Sequence, residues 1–279
     1  MKILRKLYYR LRPGQRRLAR RLFFFPADLL DSLLKRRPNL VPPRGRIFTG
    51  QGDFAGMGDN YLGLLVHLGG LKPHHHVLDV GCGIGRLARP LVGFLNEKGC
   101  YAGFDIVPDG INWCNRQYRQ YPHFSFLHIP LQNDLYNLNT EAGAASFRFP
   151  YENEAFDLVA LLSVFTHMQP DEVENYLGEI FRVLKPGGCC FATFFLITER
   201  SETYLAQSAE SFFPYRHADY FLHNPRVKNA NIAYRYPFLR QMIAKAGLEV
   251  RVLHEGWWAG RDRDACVDFQ DVVILRKPL

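Results

Sequence analysis

The sequence predicts an α/β fold, a mostly parallel sheet with helices on both faces. Three observations predict it. From residue 76 onward, short apolar runs of strand character alternate with helical patterns, as strands joined by crossover helices do. A glycine-rich turn, Gly81-Cys82-Gly83-Ile84-Gly85, separates the first strand from the first helix. The length of 279 residues accommodates one large α/β domain with attachments.

The elements follow in order. Residues 1–37 read as one or two amphipathic helices. Leu4, Leu7, Tyr8 and Leu11 share a face opposite Arg and Lys, and Pro13-Gly14 breaks the pattern. Leu18, Leu22, Phe25, Leu29, Leu30 and Leu33 resume it, with a second break expected at Pro26. A linker rich in Pro and Arg, RRPNLVPPRGR, divides an extension of residues 1–46 from a main domain of residues 47–279. A helix is expected over 60–70 and the first strand over 76–80. Then come a helix over 86–96, a strand over 101–105, a helix over 111–121 and strands over 124–128 and 156–162. A helix over 170–184 leads through the turn Lys185-Pro186-Gly187-Gly188 to a strand over 190–196. An insertion, 197–237, precedes a helix over 237–246 and two last strands, 249–254 and 271–276, for seven strands in all.

Charge is unevenly spread. Residues 1–46 hold fourteen of the 35 Lys and Arg but only two of the 27 Asp and Glu, so residues 47–279 carry a net −4. The six cysteines form no C-x-x-C pair and read as reduced thiols of a cytoplasmic protein. No apolar run is long enough to span a bilayer, and the arginine-broken N-terminus does not read as a signal peptide.

The chemistry concentrates in VLDVGCGIGRLA, residues 77–88. Glycines suit a tight turn that a ligand approaches closely, although an ordinary strand-to-helix turn is the alternative. A dinucleotide pattern, G-x-G-x-x-G, would need glycine at Arg86, and Gly85 comes one residue early. Asp79, two residues before Gly81, sits poorly with a diphosphate and well with a cofactor that carries an ammonium group. The pattern resembles motif I of the class I S-adenosylmethionine (SAM)-dependent methyltransferases. The stretches at 147–168 and 177–188 are similar to further ordered motifs of that family, so the likeness covers roughly residues 75–200.

The resemblance implies the Rossmann-like methyltransferase fold, seven strands with the last antiparallel, and SAM as cofactor, with no metal. It places Asp79, Gly81, Cys82, Gly83, Gly85 and Arg86 around the methionine part and ribose, with Ser163 at the same edge. Asp105 at the end of the second strand suits the ribose hydroxyls, with a solvated strand-end carboxylate as the alternative. Ile106 would pack on adenine. Where relatives carry an acid for the adenine amino group this chain has Gly143, which leaves Glu141 and Asn133 as candidates.

His167, at the carboxyl edge beyond the fourth strand, is the candidate catalytic base; packing without proton transfer is the alternative. The aromatic-rich insertion reads as a lid over the substrate or as a helical flap on the sheet edge. Tyr220, His223 and Tyr236 are its candidate acceptor contacts, joined by Trp257, Trp258 and Arg261 of the late loop, for which anchoring is the alternative. His74, His75 and His76 cannot easily converge on a metal, because neighbouring side chains alternate faces. Residues 51–61 read as a cap over the cofactor or as a connecting loop.

The basic extension has three readings: peripheral membrane contact, a nucleic-acid arm, or a partner-binding helix. The closing W-x-G…F-Q-D-V-V pattern is similar to methyltransferases of polysaccharide or glycolipid assembly, and that likeness implies a small-molecule or glycan acceptor methylated at oxygen. RNA or protein methylation, or SAM binding without turnover, are the alternatives. Nucleic acid fits less well because the body is acidic.

Overall fold

The computed structural model describes residues 13–50, 52–138, 140–207 and 212–279. Its main sheet contains β1 (His76–Val80), β2 (Cys100–Asp105), β3 (Phe124–His128), β4 (Phe156–Leu161), β5 (Leu184–Phe194), β10 (Glu249–His254) and β11 (Asp271–Arg276). The spatial order is β3-β2-β1-β4-β5-β11-β10. The strands from β3 to β5 are parallel, while β11 runs antiparallel to both β5 and β10. The helices are α1 (Pro13–Leu33), α2 (Phe54–His67), α3 (Ala88–Phe94), α4 (Pro108–Gln117), α5 (Pro170–Val183), α6 (Glu199–Gln207) and α7 (Tyr236–Lys245).

The central strands are apolar without a polar face because both faces are covered. Along β1, Leu78 and Val80 enter one buried cluster while Val77 enters the cluster on the opposite face. The chain winds from β1 to β3 in one direction and resumes at β4 on the other side of β1. The order therefore reverses between β1 and β4, and the crevice at their carboxyl ends is where such a sheet takes a ligand.

Several expectations are corrected. Pro26 lies inside α1 and does not end it. The helix is braced from outside: the Asp28 carboxylate accepts from Arg44 N (2.7 Å) and Gly45 N (2.9 Å). A Cβ on Gly45 would come within 2.9 Å of Arg21 Cα, so this contact needs glycine. The segment expected as cap or loop is largely helical, because Asp53 accepts from Ala55 N and Gly56 N and starts α2 there.

Lys185-Pro186-Gly187-Gly188 is no turn between elements. It is an irregularity within β5, where Gly187 (φ +74°) donates to Lys277 O, and where the β4 register shifts between Phe156 and Leu158. The insertion is not a helical flap. Beyond α6 it forms a small sheet, β6 (Leu196–Ile197), β9 (Ile232–Arg235), β8 (Tyr220–Leu222) and β7 (Tyr215–Arg216), over its own cluster of Phe195, Phe213, Phe221 and Trp258. The face of Leu4, Leu7, Tyr8 and Leu11 lies outside the described residues.

Candidate active site

The glycine turn follows β1 directly. Gly81 N and Cys82 N both donate to Phe104 O, at 2.9 and 3.0 Å, which ties the turn to β2. Gly81, Gly83 and Gly85 all have positive φ, +72°, +60° and +78°. A Cβ on Gly81 would meet Val164 Cγ2 at 2.5 Å, and one on Gly83 would meet Thr49 Cγ2 at 2.7 Å. Conformation and space both demand glycine at these two positions.

Two buried carboxylates flank the turn. Asp79 accepts from the Tyr101 hydroxyl at 2.7 Å, and burial pushes its pKa up to about 7. Asp105 accepts from Gly83 N (2.8 Å) and Val107 N (2.7 Å), so β2, the turn and the start of α4 share one carboxylate. Burial raises it to about 6, against the pull of those amides. Arg86 is half-buried beside them. Its guanidinium donates to Thr49 O and to Thr49 Oγ1, while its Nε has no hydrogen-bond partner among the described residues.

These groups line a cavity of about 620 Å³ at the carboxyl ends of β1, β2 and β4. Of the residues singled out in the sequence, Asp79, Gly81, Cys82, Arg86, Asp105, Ile106, Asn133, Ser163 and His167 line it. Gly83 and Gly85 lie just behind and shape the turn. Ser163 follows β4 with φ +61°, an uncommon conformation for a side-chain-bearing residue. Its N donates to Thr193 Oγ1 (2.7 Å) and its hydroxyl to Gln270 Oε1 (2.9 Å).

His167 ends a short 3₁₀ turn, Phe165–His167. Its Nδ1 lies 2.8 Å from Asn229 O, and a carbonyl only accepts, so Nδ1 carries the proton. In the neutral ring Nε2 is then the basic nitrogen. Burial lowers the ring's pKa and favours that neutral form. The Asp134 carboxylate accepts from Lys228 N (2.7 Å) and Asn229 N (3.1 Å), fixing the strand of chain that holds the imidazole.

Residues 77–188 match a family described as a methyltransferase domain. Over 120 residues the chain is 33% identical to the sterol 24-C-methyltransferase of Schizosaccharomyces pombe, covering 43% of this chain and 27% of that protein. Over 122 residues it is 27% identical to a tRNA N(3)-cytidine methyltransferase of Gallus gallus, covering 43% and 30%. The chain thus spans less than a third of the length of these curated relatives. Among solved structures, a SAM-dependent methyltransferase of Methanosarcina mazei aligns over 75% of this chain and 95% of its own, with TM-score 0.51 and 19% identity. The 1,6-didemethyltoxoflavin-N1-methyltransferase of Burkholderia thailandensis, solved with its substrate and S-adenosylhomocysteine, aligns over 96% and 92%, with TM-score 0.51 and 16% identity. Residues 77–188 carry a methyltransferase domain, on the Rossmann-like fold that the solved SAM-dependent methyltransferases share. Its cofactor is SAM.

The cavity of this methyltransferase domain fits such a group in one testable respect. A buried carboxylate, Asp79, and a half-buried guanidinium, Arg86, line the same space, as a zwitterion requires.

The acceptor candidates named from sequence do not line the cavity. Tyr220 stacks on His217 at 4.5 Å. Tyr236 opens α7 under the Arg240 guanidinium. Trp257 meets Phe269 edge-on, and Arg261 pairs with Glu255 at 2.6 Å. Trp258 is buried and donates to Asp271 at 2.7 Å. The same carboxylate accepts from Leu196 N and Gly256 N, and burial raises it to about 7. His223 Nδ1 lies 2.7 Å from Phe212 O, and Phe212 does line the cavity. Glu141 is exposed and apart from it.

Sequence reading missed other wall residues. Phe48, Thr49 and Gly50 come from the start of the main domain, just past the linker, Tyr136 from the loop after β3, and Glu172 from α5. Asn231 comes from the insertion, and Asp268, Phe269 and Gln270 from the late loop. Tyr61 of α2 and Asp268 line the cavity together, which closes the wall between two distant parts of the chain. One local signal was available for Tyr61: it belongs to the segment read as a cap.

Proposed function

We propose that residues 47–279 transfer the methyl group of SAM to an oxygen of a small-molecule or glycan acceptor, with His167 as the base. One observation carries this reading: His167 lines the cavity with Nδ1 committed to Asn229 O and Nε2 left basic. A hydroxyl nucleophile must lose a proton, and a neutral imidazole facing the cavity is placed to take it.

In this reading Asp79 holds the cofactor's ammonium and Arg86 its carboxylate. Gly81, Cys82, Gly83 and Gly85 let the backbone approach. Asp105 accepts from the ribose hydroxyls, Ile106 packs on adenine, Asn133 serves the adenine edge and Ser163 borders the reacting side. SAM supplies an electrophilic methyl carbon; the protein binds, orients and excludes water. The insertion 197–237 acts as a lid through Phe212 and Asn231. Tyr220, His223, Tyr236, Trp257, Trp258 and Arg261 support that wall from behind.

Kinship does not choose the acceptor, since the relatives named are a sterol and a tRNA methyltransferase. The net −4 of residues 47–279 favours a small or uncharged acceptor over a polyanion. The test is transfer of labelled methyl from SAM to pools of hydroxylated small molecules, saccharides and tRNA. Labelling of a hydroxyl that His167→Asn abolishes supports the proposal. Labelling of tRNA alone, or transfer unaffected by His167→Asn, would overturn it.

A further inference from the structure

Helix α1 is docked with its faces reversed. Surface helices bury their apolar stripe and expose their charges. In α1 the charged side faces the protein. Arg16 is buried and donates to Leu135 O (3.2 Å), and Arg17 and Arg21 reach Asp109 at 3.5 and 3.0 Å. Asp28 is held by the amides of Arg44 and Gly45. The apolar side faces out: Leu18 is 57% exposed, Leu22 68%, Phe25 61%, Leu29 47% and Leu33 72%, with Phe23 beside them at 78%. The first five are spaced four, three, four and four residues apart, which makes one continuous helical stripe.

From this we infer that α1 seats the chain on an anionic lipid bilayer by inserting its outward apolar stripe among the acyl chains. A contiguous exposed apolar row marks an interaction surface. The charge of the segment in sequence selects the occupant. Residues 1–46 hold fourteen Lys and Arg against Asp28 and Asp31, and Lys35 and Arg36 are exposed just past the end of the stripe. A second copy would bring an equally cationic segment against the first, whereas anionic headgroups attract it while the acyl region takes the apolar row. Nucleic acid is a poor match, because the outward row is apolar and offers phosphates no partner, whereas a bilayer takes the apolar row and the flanking cations together. No helix among the described residues is long and apolar enough to cross a membrane, so α1 lies along the surface. The seat is next to the cavity: Arg17 donates to Tyr136 O at 3.4 Å, and Tyr136 lines the cavity wall.

The test is flotation of the full chain with phosphatidylcholine vesicles, alone and mixed with phosphatidylglycerol. The variants are Leu22→Ser/Phe25→Ser/Leu29→Ser and, as a milder change, Phe23→Ser. Melting temperature and SAM affinity verify that each variant is folded. The expected result is binding to the mixed vesicles, weaker binding to phosphatidylcholine alone, a severalfold loss for Phe23→Ser and at least a tenfold loss for the triple variant. Wild-type chain that stays unbound, a folded triple variant that binds as well as wild type, or equal binding to both vesicle types would overturn the inference. So would a wild-type dimer that the triple variant converts to monomer, since a second copy would then cover the stripe. None of these readouts uses methyl transfer, so the outcome bears on docking alone.

Discussion

Lowering the pH from 7 to 6 should weaken SAM binding about tenfold, and most of that loss should pass through Asp79. Burial raises this carboxyl to about 7, and the Tyr101 hydroxyl only partly opposes the shift. An ammonium is attracted to the carboxylate and not to the neutral acid, so affinity follows the ionised fraction. That fraction is about one half at pH 7 and about one eleventh at pH 6, a change of about fivefold. Asp105, raised to about 6, adds about twofold over the same interval. The cofactor's own ammonium stays protonated throughout, so the change reports the protein. Titration calorimetry at both pH values, in two buffers of different ionisation enthalpy, gives affinity and protons released together. Asp79→Asn should bind SAM more weakly at pH 7 and retain only the twofold dependence. An affinity flat between pH 6 and pH 7, or an unchanged slope in Asp79→Asn, would refute the pairing of Asp79 with the ammonium.

Other consequences follow from the same geometry. Without ligand, Asp79→Asn should melt higher than wild type at pH 8, read by calorimetry. A carboxyl whose folded pKa lies above its unfolded one favours folding at low pH and loses that contribution as pH rises through about 7. Gly81→Ala should weaken SAM binding by more than about tenfold, because the residue has φ +72° and its Cβ would meet Val164 at 2.5 Å. His167→Asn should lower kcat by about 10²–10⁴ with little change in SAM affinity, measured by single-turnover transfer and calorimetry. Asp271→Ala should cost about 1–3 kcal/mol in denaturant unfolding, since Leu196 N, Gly256 N and Trp258 Nε1 would all lose their buried acceptor.

What could be read from the sequence was local. The periodicity at 76–80, 124–128, 249–254 and 271–276 coincides with β1, β3, β10 and β11. A strand, a glycine turn and a helix in succession fix where a ligand binds, because the order of a parallel sheet brings Asp79, Asp105 and Ser163 to one edge. Long-range pairings were not legible. Leu196 and Ile197 form β6 only by pairing with Tyr234 and Arg235, and Trp258 is an anchor only because Asp271 lies beside it. The hydrogen bond of Arg86 to Thr49 and the wall shared by Tyr61 and Asp268 likewise join segments with no common motif. Prolines and glycines misled twice: external contacts carry α1 past Pro26, and the pairing of Gly187 with Lys277 turns an apparent stop into an irregularity within β5. In α1 the apolar stripe was legible as a periodicity, but periodicity does not say which face docks. Asp109 and the carbonyls of Leu135 and Tyr136 decide that.

The most direct measurement is calorimetry of the full chain with SAM, S-adenosylhomocysteine and NAD in parallel, with Asp105→Ala as control. Binding of the first two, no heat from NAD, and loss of SAM binding in the control is the expected result. No heat from SAM, or binding of NAD abolished by the same substitution, would contradict the assignment of the glycine turn and its flanking carboxylates to a zwitterionic methyl donor.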